Sequence, residues 1–299
     1  MTALKQFQMS GGQGWVQVLA TSEVTHHAFT LSAYHLPPGG EIPAHAHALE
    51  DEILTPLQGD FESFNGIEWN PMAHGQSVTG MRGRVHGFRN SGAAPGVLLS
   101  ITTPGGYDLF LEAVSTLTLP QDMVRLSEIS KRFGITHPPP SQSYFNRSQP
   151  EANKPPLKCF KVFGEPVEIL VSMEETTQAF TILTQTSPPG GGPPLHRHTF
   201  EDEIFTVVAG EYEVFDSGIW TKLLPGDVAY ALRGSIHTFR NCGSQTGKLQ
   251  AVIVPGTELE HYLEDISVLT LPQDALRVLE ISAQYGLEVF RPSGVVLPH

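Results

Sequence analysis

One set of histidines and a glutamate is written twice in this chain, and it constrains the fold more than any other feature. The first copy is His45-Ala46-His47, Glu52 and His86; the second is His196-Arg197-His198, Glu203 and His237. Every member of the second copy lies 151 residues after its counterpart. Three imidazoles and one carboxylate form a coherent ligand set for a divalent transition metal, which can be Fe, Mn, Ni, Cu or Zn. The same set in the same register predicts one metal per copy, and two copies of one domain rather than a solenoid of short repeats.

The repeat extends well beyond the ligands. Pro37-Pro38-Gly39-Gly40 returns as Pro188-Pro189-Gly190-Gly191, Glu50-Asp51-Glu52-Ile53 as Glu201-Asp202-Glu203-Ile204, and Phe88-Arg89-Asn90 as Phe239-Arg240-Asn241. Pro104-Gly105 still matches Pro255-Gly256 at the same offset, but Leu117 to Asp122 matches Leu269 to Asp274 at an offset of 152, so one residue is inserted between these landmarks, as expected of a loop. The length of 299 residues fits two domains of ordinary size. We expect a first domain over residues 1–136, a Pro-rich linker over 137–157 and a second domain over 158–299.

Within each copy the elements are short. His45 and His47 alternate as strand residues on one face do. Residues 203–208 read as a strand ending at Gly210, with 211–215 as its hairpin partner. With 29 Gly and 24 Pro to supply turns, the pattern is all-β, a sandwich or barrel. A short helix closes each copy. Met123, Leu126, Ile129 and Phe133 are spaced for one apolar face, Leu276, Leu279, Ile281 and Tyr285 less regularly so, and Asp122 and Asp274 are candidate N-caps.

Charge and composition exclude several classes. A formal net charge of -13 gives nucleic acid no electrostatic partner. No apolar run reaches the ~18 residues of a membrane span, and the first fifteen residues hold no apolar leader core, so a cytoplasmic protein is expected. Cys159 and Cys242 form no paired motif and read as buried free thiols.

These residues carry a resemblance to a known family. Gly39, His45, His47, Glu52 and Gly59 fit the first cupin motif, as do Gly190, His196, His198, Glu203 and Gly210. Gly75, Gly83, His86 and Asn90, and again Gly226, Gly234, His237 and Asn241, fit the second, with Met81 and Leu232 in place of its proline. The chain therefore resembles a bicupin. The resemblance implies two double-stranded β-helix (jelly-roll) barrels packed face to face, each followed by a short C-terminal helix, in a chain that can form a homodimer. In such a barrel His-x-His points inward, the Glu comes from the adjacent strand and the last His from a strand further on.

The closest functional resemblance is to quercetin 2,3-dioxygenase-like bicupins, which implies a metal-dependent dioxygenase acting on a small aromatic or enolic substrate with dioxygen. Glu52 and Glu203 are then candidate catalytic bases as well as ligands, provided the second carboxylate oxygen faces substrate. Asp51 or Asp202 is the alternative ligand, although strand parity favours the Glu. Phe200, Phe205, Phe215, Tyr230 and Phe239 either line an apolar cavity or are ordinary core. Leu49 and Leu54 become Phe200 and Phe205, which predicts a smaller second cavity. His26, His27, His35 and His74 have no counterparts and read as surface or loop residues; Glu50 and Glu201 read as solvated loop charges, and Arg89 and Arg240 as partners of nearby carboxylates. Two other classes remain open: an oxalate decarboxylase-like or isomerase cupin, and a non-catalytic metal- or ligand-binding bicupin.

Overall fold

The computed structural model describes residues 5–9, 12–138 and 155–290. The central stretch of the expected linker, 139–154, lies outside the described residues. Contacts divide the chain into two compact units, Met1–Lys154 and Pro155–His299.

The N-terminal unit contains β1 (Lys5–Gln8), β2 (Trp15–Ala20), β3 (Thr30–Leu36), β4 (Glu41–His47), β5 (Asp51–Gln58), β6 (Phe61–Phe64), β7 (Trp69–Met72), β8 (Val78–Gly80), β9 (His86–Asn90) and β10 (Gly96–Thr103), then α1 (Tyr107–Val114), α2 (Met123–Arg132) and β11 (Ile135–Thr136). They form two antiparallel sheets, ordered β1-β2-β3-β10-β5-β8 and β11-β4-β9-β6-β7. The C-terminal unit repeats the plan with β12 (Lys158–Val162), β13 (Glu165–Val171), β14 (Thr181–Ser187), β15 (His196–His198), β16 (Asp202–Ala209), β17 (Tyr212–Asp216), β18 (Ile219–Leu223), β19 (Val228–Ala231), β20 (His237–Asn241) and β21 (Gly247–Val254), closed by α3 (Leu259–Ser267), α4 (Ala275–Gln284) and β22 (Leu287–Val289). Its sheets are ordered β12-β13-β14-β21-β16-β19 and β18-β17-β20-β15-β22. Each unit is a jelly-roll of the expected all-β class.

The two inner faces meet in one core per unit. Leu54, Phe61, Phe88 and Leu98 in the first match Phe205, Tyr212, Phe239 and Leu249 in the second. Burial of each such side chain contributes about 1.5–3 kcal/mol.

The expected hairpin between 203–208 and 211–215 does not form. β16 pairs with β19 and β21, whereas β17 pairs with β18 and β20 in the facing sheet. Gly210 makes the crossing possible. Its φ is 85°, and an added Cβ would come within 2.7 Å of Gly247 Cα. Only glycine supplies that conformation and that close approach. Gly59 does the same against Gly96.

The expected helix follows each barrel, as α2 and α4, and a further helix, α1 or α3, precedes it. Helix α1 is tied down by Asp108, whose Oδ1 accepts from Ser22 N and Thr30 Oγ1. At the matching place in α3, Glu260 Oε1 accepts from Met173 N and Thr181 Oγ1. These anchors lie 152 residues apart, so the extra residue falls in the loop before the helix. Asp122 and Asp274 stand at the N-cap positions of α2 and α4 but do not cap them. Their Oδ2 atoms accept instead from Thr118 N and Thr270 N, each at 2.7 Å, which fixes the preceding turn. Cys159 and Cys242 are exposed free thiols, correcting the expectation of burial, because both sit on solvent-facing positions of the outer strands and turns.

Candidate metal centres

The jelly-roll brings the two ligand sets together. His45 and His47 alternate along β4, and β9 pairs with β4 so that His86 stands opposite His45. Glu52 reaches the same point from β5, in the facing sheet. The third histidine thus belongs to the hydrogen-bonded neighbour of the His-x-His strand, and the glutamate comes from across the barrel, the reverse of the expected order. In the second unit His196 stands opposite His237, and Glu203 comes from β16.

All eight side chains are buried, and in each set the ligand atoms lie within 4.8 Å of one another. Glu52 Oε2 is 2.9 Å from His86 Nε2, 3.8 Å from His45 Nε2 and 3.7 Å from His47 Nε2. Glu203 Oε2 is 2.9 Å from His237 Nε2 and 3.8 Å from His196 Nε2. The outer ring nitrogens are spoken for. His45 Nδ1 donates to Pro43 O at 2.8 Å and His86 Nδ1 to Arg84 O at 3.0 Å; His196 and His237 donate to Pro194 O at 2.8 Å and Ser235 O at 3.1 Å. A carbonyl only accepts, so each of these Nδ1 atoms carries a proton, and Nε2 is the atom each ring turns inward; there His86 and His237 donate to the Glu52 and Glu203 carboxylates at 2.9 Å, a bond a metal would replace by taking the Nε2 lone pair. His198 Nε2 is buried without a hydrogen-bond partner. Converging imidazole nitrogens, a carboxylate and an unpartnered buried nitrogen are what a divalent cation satisfies, and both clusters fit one.

The electrostatics agree. Burial and the nearby His86 push His45 down to about 4. Burial also opposes charge on His47, but the Glu50 and Glu52 carboxylates outweigh it and push the group up to about 9. Burial would raise Glu52, yet the three histidines hold it well below the usual carboxylate range. Glu203 is lowered in the same way, against its burial, by His198, His196 and His237.

Glu50 and Glu201 are not solvated. They are only 6% and 1% exposed. Glu50 Oε2 lies 3.5 Å from His47 Nδ1, and Glu201 Oε2 lies 3.2 Å from His198 Nδ1. Glu201 thus does for His198 what carbonyls do for the other two histidines of its set, whereas Glu50 stands behind His47 as a charge without a hydrogen bond to it. The repeated Glu-Asp-Glu triplet was the available sequence signal; single-residue reasoning about loop charges missed it. The middle residue has a separate task. Asp51 forms an ion pair with Arg82 through two hydrogen bonds of 2.6 and 3.0 Å, and Asp202 pairs with Arg233 at 2.6 Å, so neither aspartate belongs to a ligand cluster. Arg89 and Arg240 pair with Glu62 and Glu213 on the outside, as expected. The motif residue Asn90 is also structural: its amide donates to Leu36 O and Ala94 O and accepts from Gly92 N, and Asn241 repeats these bonds.

The two sites differ around this shared frame. Ser100 Oγ donates to Glu52 Oε1 at 2.6 Å. The matching position in the second unit is Ala251, which has no hydroxyl to offer Glu203; Glu203 Oε1 lies 3.8 Å from His198 Nε2, and Glu203 lines the second cavity. Tyr34 and Tyr107, with hydroxyls 3.2 Å apart, border the first cavity beside His47; Gln185 and Leu259 take their places in the second. The first cavity has a volume of about 530 Å³ and the second about 90 Å³. Among the described residues, no Lys or Arg lines either.

The aromatic residues expected around the second cavity behave unevenly. Phe239 lines it, but Phe205 is buried core, Phe200 is 53% exposed, and Phe215 and Tyr230 are elsewhere. The second cavity is smaller, as expected, but not through Phe200 or Phe205. His26, His27 and His74 are exposed, and His35 lies in β3 with its ring stacked on Trp15 at 3.5 Å.

Comparison with known proteins agrees with this geometry. The family described as Cupin domain matches twice, over residues 33–102 and 183–254. The chain carries two cupin domains and is a bicupin. It is 34% identical over 67 residues to an oxalate-binding protein of Thermotoga maritima, a match covering 22% of this chain and 55% of that protein. The chain thus spans about half the length of that curated relative. Among solved structures it resembles the oxalate decarboxylase–formate complex of Lactobacillus farciminis, at 16% identity and a TM-score of 0.53, covering 86% of this chain and 87% of that one. It also resembles procruciferin, an 11S globulin of Brassica napus, at 8% identity and a TM-score of 0.54, covering 86% and 83%. At such identities the likeness is one of fold alone. Among the described residues no helix is long and apolar enough to cross a membrane.

Proposed function

We propose that this bicupin is a metal-dependent dioxygenase acting on a small aromatic or enolic substrate, of the quercetin 2,3-dioxygenase type. The observation that carries this reading is the cavity of about 530 Å³ that opens on His45, is walled mostly by apolar side chains, and among its lining residues has Glu41 but no Lys or Arg. Its volume falls in the ~300–1,000 Å³ range of small-molecule sites, and its wall suits a planar apolar body better than a dianion. A divalent metal held by the three histidines and the glutamate supplies Lewis acidity toward a substrate oxygen and a place for dioxygen to react. The chain's own residues orient and exclude. Pro43 O and Arg84 O fix two of the imidazoles, Glu50 sets its charge 3.5 Å behind the third, and Tyr107, Phe110 and Leu111 keep water from the reacting end. Glu52 and Glu203 are the candidate bases. Ser100 occupies the second oxygen of Glu52, so in the first site the glutamate serves mainly as ligand; Glu203, with Ala251 at the matching position, has no such serine partner.

A second reading is favoured by the smaller cavity. At about 90 Å³ it admits only a compact ligand, and the oxalate-binding and oxalate decarboxylase relatives make oxalate the natural candidate there. One experiment separates the readings. Protein loaded in turn with Fe, Mn, Ni and Cu is given a flavonol and catechol panel in an oxygen electrode, and oxalate in a parallel assay for carbon dioxide and formate. Oxygen uptake with the aromatic panel supports the first reading. Carbon dioxide and formate from oxalate without such uptake replaces it with the second.

A further inference from the structure

We infer that the two cupin domains divide their labour: the N-terminal cavity alone receives the organic ligand, and the Tyr34–Tyr107 hydroxyl pair selects one whose planar apolar body carries a hydroxyl or enol oxygen at the metal-facing end. This inference rests on the reading of the first site as a small-molecule site and adds which domain binds and what it recognises. The ligand frames of the two domains superpose in sequence at one offset, so they do not distinguish the sites. The walls do.

Three polar groups of the N-terminal cavity have apolar or non-phenolic replacements in the other. Tyr34 is replaced by Gln185, Tyr107 by Leu259 and His137 by Val289. Tyr34 and Tyr107 are 2% and 5% exposed, and their hydroxyls are each other's partners at 3.2 Å. When one hydroxyl donates to the other, the pair retains one proton and free lone pairs to offer a ligand. The Tyr107 ring lies 5.2 Å from the His47 ring, which places the pair at the end of the cavity nearest the ligand cluster. At the mouth, the exposed His137 ring lies 6.4 Å from that of His45.

The rest of the wall is mostly apolar, with Val16, Ile42, Phe110, Leu111 and Val114 among its members, and Gln8, Gln13, Glu41 and Ser115 add polar groups to it. A buried hydroxyl pair in such a wall rewards a ligand that hydrogen-bonds to it and rejects one that leaves it unpaired. With no Lys or Arg in the wall, a ligand bearing several negative charges gains nothing there but the metal. In the C-terminal domain the helix residues Leu259, Leu263 and Ile266 close around the cluster and leave about 90 Å³, below the range of organic-ligand sites.

The test uses full-length protein loaded with nickel and kept free of oxygen, so that binding is read without turnover. It is titrated with 3-hydroxyflavone and with flavone, which lacks the hydroxyl, and binding is followed by ligand absorbance. We expect one 3-hydroxyflavone per chain and much weaker binding of flavone. Tyr107→Phe weakens 3-hydroxyflavone by about tenfold and Tyr34→Phe by somewhat less, the scale of one hydrogen bond, with flavone unaffected. Val114→Trp, which fills the N-terminal cavity, abolishes binding, whereas Val289→Trp at the C-terminal cavity leaves it intact. Metal content is measured for every variant, so a loss of binding counts only where both metals are retained.

Two ligands per chain, binding lost in Val289→Trp but kept in Val114→Trp, equal affinity for the two flavones, or no binding at all would overturn the inference. Oxygen uptake is scored separately. Binding with the expected variant pattern but no uptake sinks the dioxygenase reading and leaves the division of labour standing. Uptake that survives Val114→Trp does the reverse.

Discussion

The N-terminal and C-terminal sites share their innermost atoms and differ one step out. Both present three Nε2 atoms and one Oε2, both hold two histidines by carbonyls of residues two positions earlier, and both set a buried carboxylate behind the third. Around them, one site has Ser100, Tyr34 and Tyr107 and a large cavity, while the other has Ala251, Gln185 and Leu259 and a small one. Metal binding demands convergent geometry and tolerates little change. The wall is free to diverge, and there the two halves acquire different chemistry on one fold.

The largest test of the shared frame removes a ligand. Mass spectrometry of gently purified protein should find about two metal ions per chain, falling to about one in either His47→Ala or His198→Ala. Loss of both metals in either variant would break the picture of two self-contained sites.

The ion pairs behind the acidic triplets should be nearly as costly. Asp51 and Asp202 are each 1% exposed, so Arg82→Ala or Arg233→Ala leaves a buried carboxylate with the backbone N–H of residue 82 or 233 but no cation. With the arginines themselves half-exposed, we expect each to lower unfolding free energy by about 1.5–3 kcal/mol in denaturant titrations, the scale of hydrogen bonds to a charged group. A change below about 1 kcal/mol would show that solvent reaches the carboxylate once the arginine is gone.

Glu50→Gln and Glu201→Gln sharpen the comparison. Each keeps the shape and removes the charge behind one imidazole, which should weaken metal affinity in its own domain by about 10–100-fold. The loss should be greater for Glu201, whose Oε2 lies closer to the imidazole, at 3.2 Å against 3.5 Å, and whose Oε1 also accepts from Thr257; the shorter loop of the first domain offers Gly106 instead. Equal losses would show that the loop insertion is without consequence for the metal.

The Ser100 hydroxyl is the next contrast. Ser100→Ala should cost about 1.5–3 kcal/mol, the value of a hydrogen bond to a charged group, with metal content unchanged. It should also leave Glu52, like Glu203, without a serine partner. Retention of full stability would show that the hydroxyl adds nothing to the buried carboxylate.

The smallest effect is one of pH. In the metal-free protein His47 titrates near 9, raised by Glu50 and Glu52 against the effect of burial, so at neutral pH it still holds a proton that a metal must displace. Metal uptake at pH 7.5 should therefore release about one proton in the N-terminal site, counted by calorimetry in buffers of different ionisation enthalpy. Affinity should climb with pH until near 9 and level off. A pH-independent affinity between 6 and 9 would contradict the charged state of His47.

Much of this protein was legible in its sequence. The offset of 151 residues, the eight His and Glu positions and the Gly-bounded strands specified two jelly-rolls with one ligand cluster each, because strand alternation and turn glycines are local rules. What failed were statements about which segments meet. The strand after Gly210 pairs across the barrel, since pairing is set by long-range register and not by adjacency. Asp122 and Asp274 bond backward to a turn, and Glu50 and Glu201 are buried behind histidines that a loop reading could not bring near them. The sequence by itself determined the fold, the ligand chemistry and its duplication, because these follow from residue type and spacing. Only the tertiary structure decided that one carboxylate is bonded by a serine and the other is not, and that one cavity is wide with a tyrosine pair beside the ligands and the other narrow. Those properties are sums over side chains from strands and helices far apart in the chain, and no local spacing encodes them.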